Sequence, residues 1–269
     1  MRAQDSIGGA RGLAGRAPLQ PLVYGGTEGG ILQSLLAARG VFITGTDTGV
    51  GKTLIAAALA RLLRERGVDV GVMKPIETGC ALKQDKLIPR DASYLKKAAG
   101  VSDVLELINP YRFRNPIAPW PAALREGKKI AFTKIIAARE RLQKAHSFLI
   151  VEGVGGLMVP ITDRHEVIDL VLALNLPVLL VARAGLGTLN HTLLTIQHGK
   201  ARGIDFVGVL LNNTDNKNGL AEQTNRSVLE KKMDIPVLGP YPFLKERGST
   251  EEAIAFSSTM LLPMLQNLK

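Results

Sequence analysis

The 269 residues are 46% hydrophobic and 22% charged, which supports a packed core and excludes a disordered chain. The formal net charge is +10, but the basic residues are dispersed, in pairs such as Lys96/Lys97, Lys128/Lys129 and Lys231/Lys232, with no long run and no interleaved aromatics; this argues against a nucleic-acid partner. The one cysteine, Cys80, excludes an internal disulfide and points to a cytoplasmic setting, and the longest apolar stretch (167–181) is broken by Asp169, Asn175 and Pro177, so no membrane span is expected.

Residues 1–40 are rich in Gly, Ala and Arg and lack periodicity, although ILQSLLAARG has the pattern of a short helix. With no continuous apolar region the segment does not read as a secretory signal. It is expected to be a disordered extension or an over-extended start, with an organelle transit peptide as the second reading.

A single domain is expected over 41–269. VFIT (41–44) is a short strand, and from Lys52 the run TLIAAALARLLRERG has helical spacing and stops at Gly67. VDVGVMKP follows as a second strand. Further buried-type strands are FLIVEG (148–153), PVLLVA (177–182), DFVGVLLN (205–212) and PVLG (236–239). Helical patterns cover 132–146, 166–174, 188–202, 219–233 and 251–267. Near-continuous Val/Ile/Leu strands alternating with helices predict an α/β fold, a mostly parallel sheet with helices on both faces. The stretch 79–128 is the least regular and is expected to carry a lid or substrate wall.

The first strand runs into GTDTGVGKT (45–53). The phosphate-loop pattern is G-x-x-x-x-G-K-[ST]. Here Gly45 comes one residue early and Thr46 takes the first-glycine slot, yet the strand–loop–helix context is right. Backbone N–H groups of Gly49, Val50, Gly51, Lys52, Thr53 and Leu54 can face a phosphate at the helix start. Lys52 would reach the β- and γ-phosphates and Thr53 would hold Mg²⁺, which gives a P-loop NTPase fold.

Ligands of open α/β sheets bind beyond the carboxyl ends of the strands. The second strand ends in KPIETG, where Lys74 is either a loop lysine or a cation facing developing negative charge. FLIVEG ends in Glu152, a carboxylate suited to Mg²⁺, followed by Gly153, Val154 and Gly155 for close backbone approach. Asp91 in PRDASYL reads first as a helix N-cap and second as another metal carboxylate. DFVGVLLNN ends in Asn212 and Asn213. An Asn amide there can pair bidentately with the adenine edge or simply end a strand, and the absence of Asn-Lys-x-Asp favours ATP over GTP. AGLGTLNHT (184–192) opens a helix whose free N–H groups suit a carboxylate. His191 and His198 read as a polar helix face.

Taken together, GTDTGVGKT, KPIETG, RDASYL, NPYRF, VEGVGG, AGLGTLNHTLLT and LLNN occur in an order that resembles dethiobiotin synthetase over about 41–245. The resemblance implies closure of a cyclic urea on 7,8-diaminononanoate with CO₂ (bicarbonate), ATP and Mg²⁺, through a carbamate and a carbamic-phosphoric anhydride, in biotin biosynthesis. It implies Lys74 and Lys52 as catalytic lysines and Thr78 as the substrate hydroxyl. Thr53, Asp91 and Glu152 would be the metal ligands. Gly153, Val154 and Gly155 would line the ATP site, with Asn212, Asn213, Pro242, Phe243 and Leu244 around adenine. It also implies a homodimer in which Gly185, Leu186, Gly187 and Asn190 of one subunit receive the substrate carboxylate of the other. Gly49 stands where some members carry Glu, and NPIAPW places Ala118 and Trp120 in the substrate wall.

Two alternatives compete. A relative of the cobyrinic acid amide-forming enzymes should carry a glutamine amidotransferase nucleophile, and Cys80 lacks that setting. A MinD/ParA-like ATPase switch should carry a second P-loop lysine, where this chain has Thr46, Asp47 and Thr48.

Overall fold

A computed structural model describes residues 31–216 and 219–244 and positions 255, 258, 259 and 261. In chain order, α1 (Ile31–Ala38) leads into β1 (Gly40–Gly45), α2 (Lys52–Glu65) and β2 (Val70–Met73). The segment expected to be irregular is built from short pieces: β3 (Ile76–Glu77), β4 (Ala81–Lys83), β5 (Lys86–Ile88), α3 (Arg90–Ala99), α4 (Leu105–Ile108), β6 (Tyr111–Arg112) and α5 (Pro119–Arg125). The rest alternates regularly: α6 (Phe132–Ala145), β7 (Phe148–Glu152), α7 (Val167–Leu174), β8 (Val178–Arg183), α8 (Thr188–Ala201), β9 (Phe206–Asn212), α9 (Leu220–Lys232) and β10 (Val237–Tyr241).

Six strands form one parallel sheet in the order β10-β9-β8-β1-β7-β2. Its strands are apolar on both sides because helices cover both faces. Val41, Ile43, Phe148 and Ile150 face the core under α2 and α3, while Phe42, Leu149 and Val151 face the opposite core with α6 and α7. The chain leaves β1 toward β2, returns through β7 and continues to β8 on the other side of β1. The strand order therefore reverses around β1, where an α/β sheet opens a crevice for ligands.

The packed unit starts ahead of Val41. α1 is helical, and Leu35 is fully buried in the core beneath α2. A short helix ahead of the expected boundary at residue 40 thus supplies a core side chain. Residues 1–30 lie outside the described residues. So does most of the helix expected over 251–267, of which Leu261 is described and is buried in that same core.

The short pieces between β2 and α6 form the wall over the sheet's carboxyl edge. β3 pairs with β6 in parallel. β4 and β5 form an exposed antiparallel hairpin whose two central residues, Gln84 and Asp85, both have positive φ, as tight two-residue hairpins require.

Candidate functional site

The glycine loop leaves β1 while still tied to the sheet, since Thr46 N–H donates to Val181 O at 3.0 Å. Gly45 does the work of the displaced first glycine. A Cβ there would sit 2.8 Å from Val50 Cγ2 and 3.0 Å from Asp47 O, so the loop would have to shift to admit one. Gly51 has φ 102°, and its Cβ would lie 2.2 Å from Asn212 Nδ2. No side chain caps α2, and its first backbone bond runs from Ile55 N–H to Gly51 O. The N–H groups of the first turn are left for a ligand, at the positive end of the helix dipole. Lys52 Nζ folds over the loop and donates to Asp47 O at 2.8 Å. Burial, and then the charge of Lys74, pull its pKa down to about 8.

Lys74, immediately after β2, points into the same space. Its Nζ lies 2.5 Å from Glu152 Oε1 and 3.2 Å from Asp91 Oδ2, and it also donates to Gly153 O at 3.0 Å. Burial lowers the pKa of this lysine, but Glu152 and then Asp91 outweigh it and hold the amine above its ordinary value. Thr53 Oγ1 donates to the same Glu152 oxygen at 2.8 Å. Burial raises the Glu152 carboxyl against the pull of Lys74. Its second oxygen, Oε2, is buried with no hydrogen-bond partner.

Thr53, Asp91 and Glu152 thus lie together around Lys74, Thr53 through Glu152 and Asp91 through Lys74 itself. Asp91 is not an N-cap: it lies inside the first turn of α3. Among the described residues no three His, Cys, Asp or Glu side chains group to hold a metal alone. A hydroxyl, two carboxylates and an orphaned carboxylate oxygen fit Mg²⁺, whose remaining ligands normally come from water and phosphate.

Three contributors were not singled out in the sequence. Glu77, only 5% exposed, accepts from Asp91 N–H and Ala92 N–H, one on each carboxylate oxygen, both at 3.0 Å. Burial and then the Asp91 charge push its pKa up to about 7, against those two hydrogen bonds. Asn109, within the quoted NPYRF, is fully buried and donates from Nδ2 to Lys74 O at 2.6 Å. Asn225, in α9, donates to Ala184 O at 2.8 Å and Gly185 O at 3.2 Å, bracing the AGLG turn. Cys80 lies buried behind Glu77, and burial, then the Glu77 charge, push its thiol up to about 11.

One cavity of about 1020 Å³ collects these groups. Its lining includes Gly49, Gly51, Lys52, Thr53, Leu54, Lys74, Glu77, Thr78, Asp91, Glu152, Val154 and Gly155. Ile88 and residues of α3 form one wall, and Pro116, Ile117, Ala118 and Pro119 another. Trp120 is outside that lining and is 38% exposed. Val50 and Gly153 are buried behind it.

The remaining predicted residues do not line this cavity. Gly185, Leu186, Gly187 and Asn190 sit at the start of α8, across β8, where Gly187 opens the helix in the left-handed conformation without a side-chain cap. Asn213, Pro242, Phe243 and Leu244 follow β9 and β10. Asn212 is fully buried, and its Nδ2 donates to Val50 O at 2.8 Å, bracing the P-loop, while its Oδ1 is buried with no hydrogen-bond partner. That bond spans 162 positions, a contact no local pattern reveals.

A family model described as an AAA domain matches residues 39–250. The chain is 44% identical over 215 residues to the ATP-dependent dethiobiotin synthetase BioD of Thermodesulfovibrio yellowstonii, covering 77% of this chain and 90% of that protein. It is 41% identical to the protein of the same name from Bacillus licheniformis, over 79% and 89% of the two chains. The ParA family ATPase from Chlorobium tepidum TLS superposes with a TM-score of 0.51 at 14% identity, covering 85% of this chain and 95% of that one, which shows the shared fold alone.

Proposed function

Because this chain belongs to the dethiobiotin synthetases, and to the family described as an AAA domain, we propose that it closes a cyclic urea on 7,8-diaminononanoate with CO₂, driven by ATP. The protein is a ligase that forms C–N bonds. One amine of the diamine takes up CO₂ and loses a proton to give a carbamate. A carbamate oxygen attacks the γ-phosphorus, ADP leaves, and a carbamic-phosphoric anhydride forms. The second amine attacks the anhydride carbon, loses a proton and expels phosphate.

The arrangement that carries this reading is the pairing of two buried lysines with one cavity. Lys52 lies on the phosphate loop, and Lys74 lies opposite it beside Glu152 and Asp91. Carbamate and triphosphate are both anions and repel each other. Two fixed ammonium groups and an uncapped helix start lower that repulsion without reorganising, and phosphoryl transfer depends mainly on such positioning. Lys74 is held at its carbonyl by Asn109 and at its amine by Glu152, so its charge is aimed before substrate arrives. Thr78 lines the cavity two residues beyond Ile76 and can bind a substrate amine or carbamate.

Thr53, Asp91 and Glu152 would hold Mg²⁺, which would neutralise negative charge on the phosphate groups. Adenine would lie along the ends of β9 and β10, by Asn212, Asn213, Pro242, Phe243 and Leu244. The substrate carboxylate would meet Gly185, Leu186, Gly187 and Asn190 of a second subunit. That placement draws support from the absence of this turn from the lining of its own cavity and from exposed apolar side chains on it and on α8: Leu186 is 90% exposed and Leu194 57%. The lone free thiol supports a cytoplasmic location. Among the described residues no helix is long and apolar enough to cross a membrane.

The test is phosphate release from ATP by the purified protein, with and without 7,8-diaminononanoate and bicarbonate, with dethiobiotin followed by mass. Diamine-dependent release with product is expected. Hydrolysis indifferent to the diamine would overturn the reading in favour of a switch. That alternative is not favoured: where a switch needs a second P-loop lysine, the chain has Asp47, bound to Arg183 at 2.7 Å.

A further inference from the structure

We propose that Glu77 is a positioning residue for the metal site, setting Asp91 in place by capping α3 from another part of the chain. The inference rests on the reading of Asp91 as a metal ligand.

The first turn of any α-helix leaves N–H groups unpaired, and a Ser, Thr, Asp or Asn at the N-cap normally serves them. α3 has Pro89 at that position, which offers no side-chain cap. Its first backbone bond is from Ser93 N–H to Pro89 O, at 3.1 Å. The two N–H groups just ahead, those of Asp91 and Ala92, go to the two oxygens of Glu77.

Glu77 is itself well anchored. It belongs to β3, where its carbonyl accepts from Phe113 N–H at 2.9 Å, and it follows Lys74 by three positions in KPIETG. A carboxylate that accepts from the backbone N–H of Asp91 holds the backbone from which the Asp91 side chain extends. That side chain is 39% exposed and has one ionic partner in the site, Lys74 at 3.2 Å. Without the cap, the α3 start is free to fray and Asp91 to swing away from Glu152 and Thr53. Hydrogen-bonded residues behind a metal ligand commonly change metal affinity by roughly ten- to hundredfold when replaced.

The experiment measures Mn²⁺ binding to the full-length protein with saturating ADP, by the electron paramagnetic resonance signal of free Mn²⁺. Wild type, Glu77→Gln, Asp91→Asn and the double variant are compared, and ADP affinity is measured without metal. Glu77→Gln is expected to weaken Mn²⁺ roughly tenfold or more and to weaken metal-free ADP binding by a smaller factor. In the Asp91→Asn background the same change should add little, because Glu77 acts through Asp91. Mn²⁺ affinity equal to wild type, or two losses that simply multiply, would overturn the proposal.

Hydrogen exchange on the wild-type protein provides a readout that needs no variant. The Asp91 and Ala92 amides should exchange slowly despite lying in a first helical turn, and exchange at the rate of open solvent would defeat the proposal even if Glu77→Gln does not fold. If wild type makes no dethiobiotin while the Mn²⁺ results hold, the functional reading fails and the cap stands.

Discussion

Lys74 and Glu152 lie on neighbouring strand ends, and Lys74 Nζ meets Glu152 Oε1 at 2.5 Å with both side chains buried. Removing one partner leaves the other charged and dry. Lys74→Ala is therefore expected to cost about 3–5 kcal/mol of folding stability and to lower kcat far more than it raises the KM for ATP. Thermal unfolding and steady-state kinetics check both arms. A defect confined to ATP affinity would mean that Lys74 only binds nucleotide.

Lys52→Ala should abolish ATP binding and turnover. The lysine lies over the loop on the Asp47 carbonyl, at the place where a bound phosphate would take it over. Calorimetry with ATP and the phosphate assay report this, and normal turnover in the variant would remove the P-loop assignment.

Asn225→Ala should raise the KM for the diamine while leaving the KM for ATP unchanged. The variant leaves two carbonyls of the AGLG turn without their donor, at roughly 1–3 kcal/mol for buried groups left unpaired. Equal changes in both KM values would place the turn in the nucleotide site. No change would detach it from the substrate.

His146, at the end of α6, joins Asp69 at 2.7 Å and Asp103 at 2.9 Å. Burial lowers its pKa, but the bonds to Asp69 and Asp103 prevail and raise it above its usual 6.5. The charged form is thus favoured by folding. Its stabilisation is complete below the unfolded value and is lost as pH rises through the higher folded one. Wild type should lose melting temperature as pH rises through that window, and His146→Gln should flatten this dependence. Parallel melting curves against pH for the two proteins would rule it out.

The core beneath α2 reaches back to Leu35. Removal of residues 1–30 and removal through residue 38 should therefore differ: the second deletes a fully buried leucine, a loss of about 2–5 kcal/mol even for truncation to alanine. Denaturant unfolding of the two truncations checks it, and equal midpoints would show that α1 contributes nothing.

The sheet and the first-rank chemistry were legible in the sequence because they are local. A buried strand announces itself as an apolar run, and a carboxylate or lysine at its end stands out against that run, as Lys74 and Glu152 do. Glycines mark the phosphate loop even with Gly45 displaced by one. What the sequence does not carry is who serves whose backbone. Glu77 caps a helix that begins 13 positions later, Asn109 reaches back to Lys74, and Asn212 reaches Val50. Each is a polar residue that could equally end a strand or face solvent, and only the tertiary arrangement selects its partner. The same holds for 79–128, where very short elements give no periodicity to read.

Cys80 is the only cysteine in the chain, and it is shut behind Glu77 with its thiol held at about 11. At neutral pH almost none of it is thiolate, the form that attacks electrophiles. The protein is therefore a silent background for site-directed labelling. A cysteine introduced at exposed Leu194 on α8 would carry a spin label or fluorophore alone, and the distance between two such labels would show directly whether two copies meet across that helix.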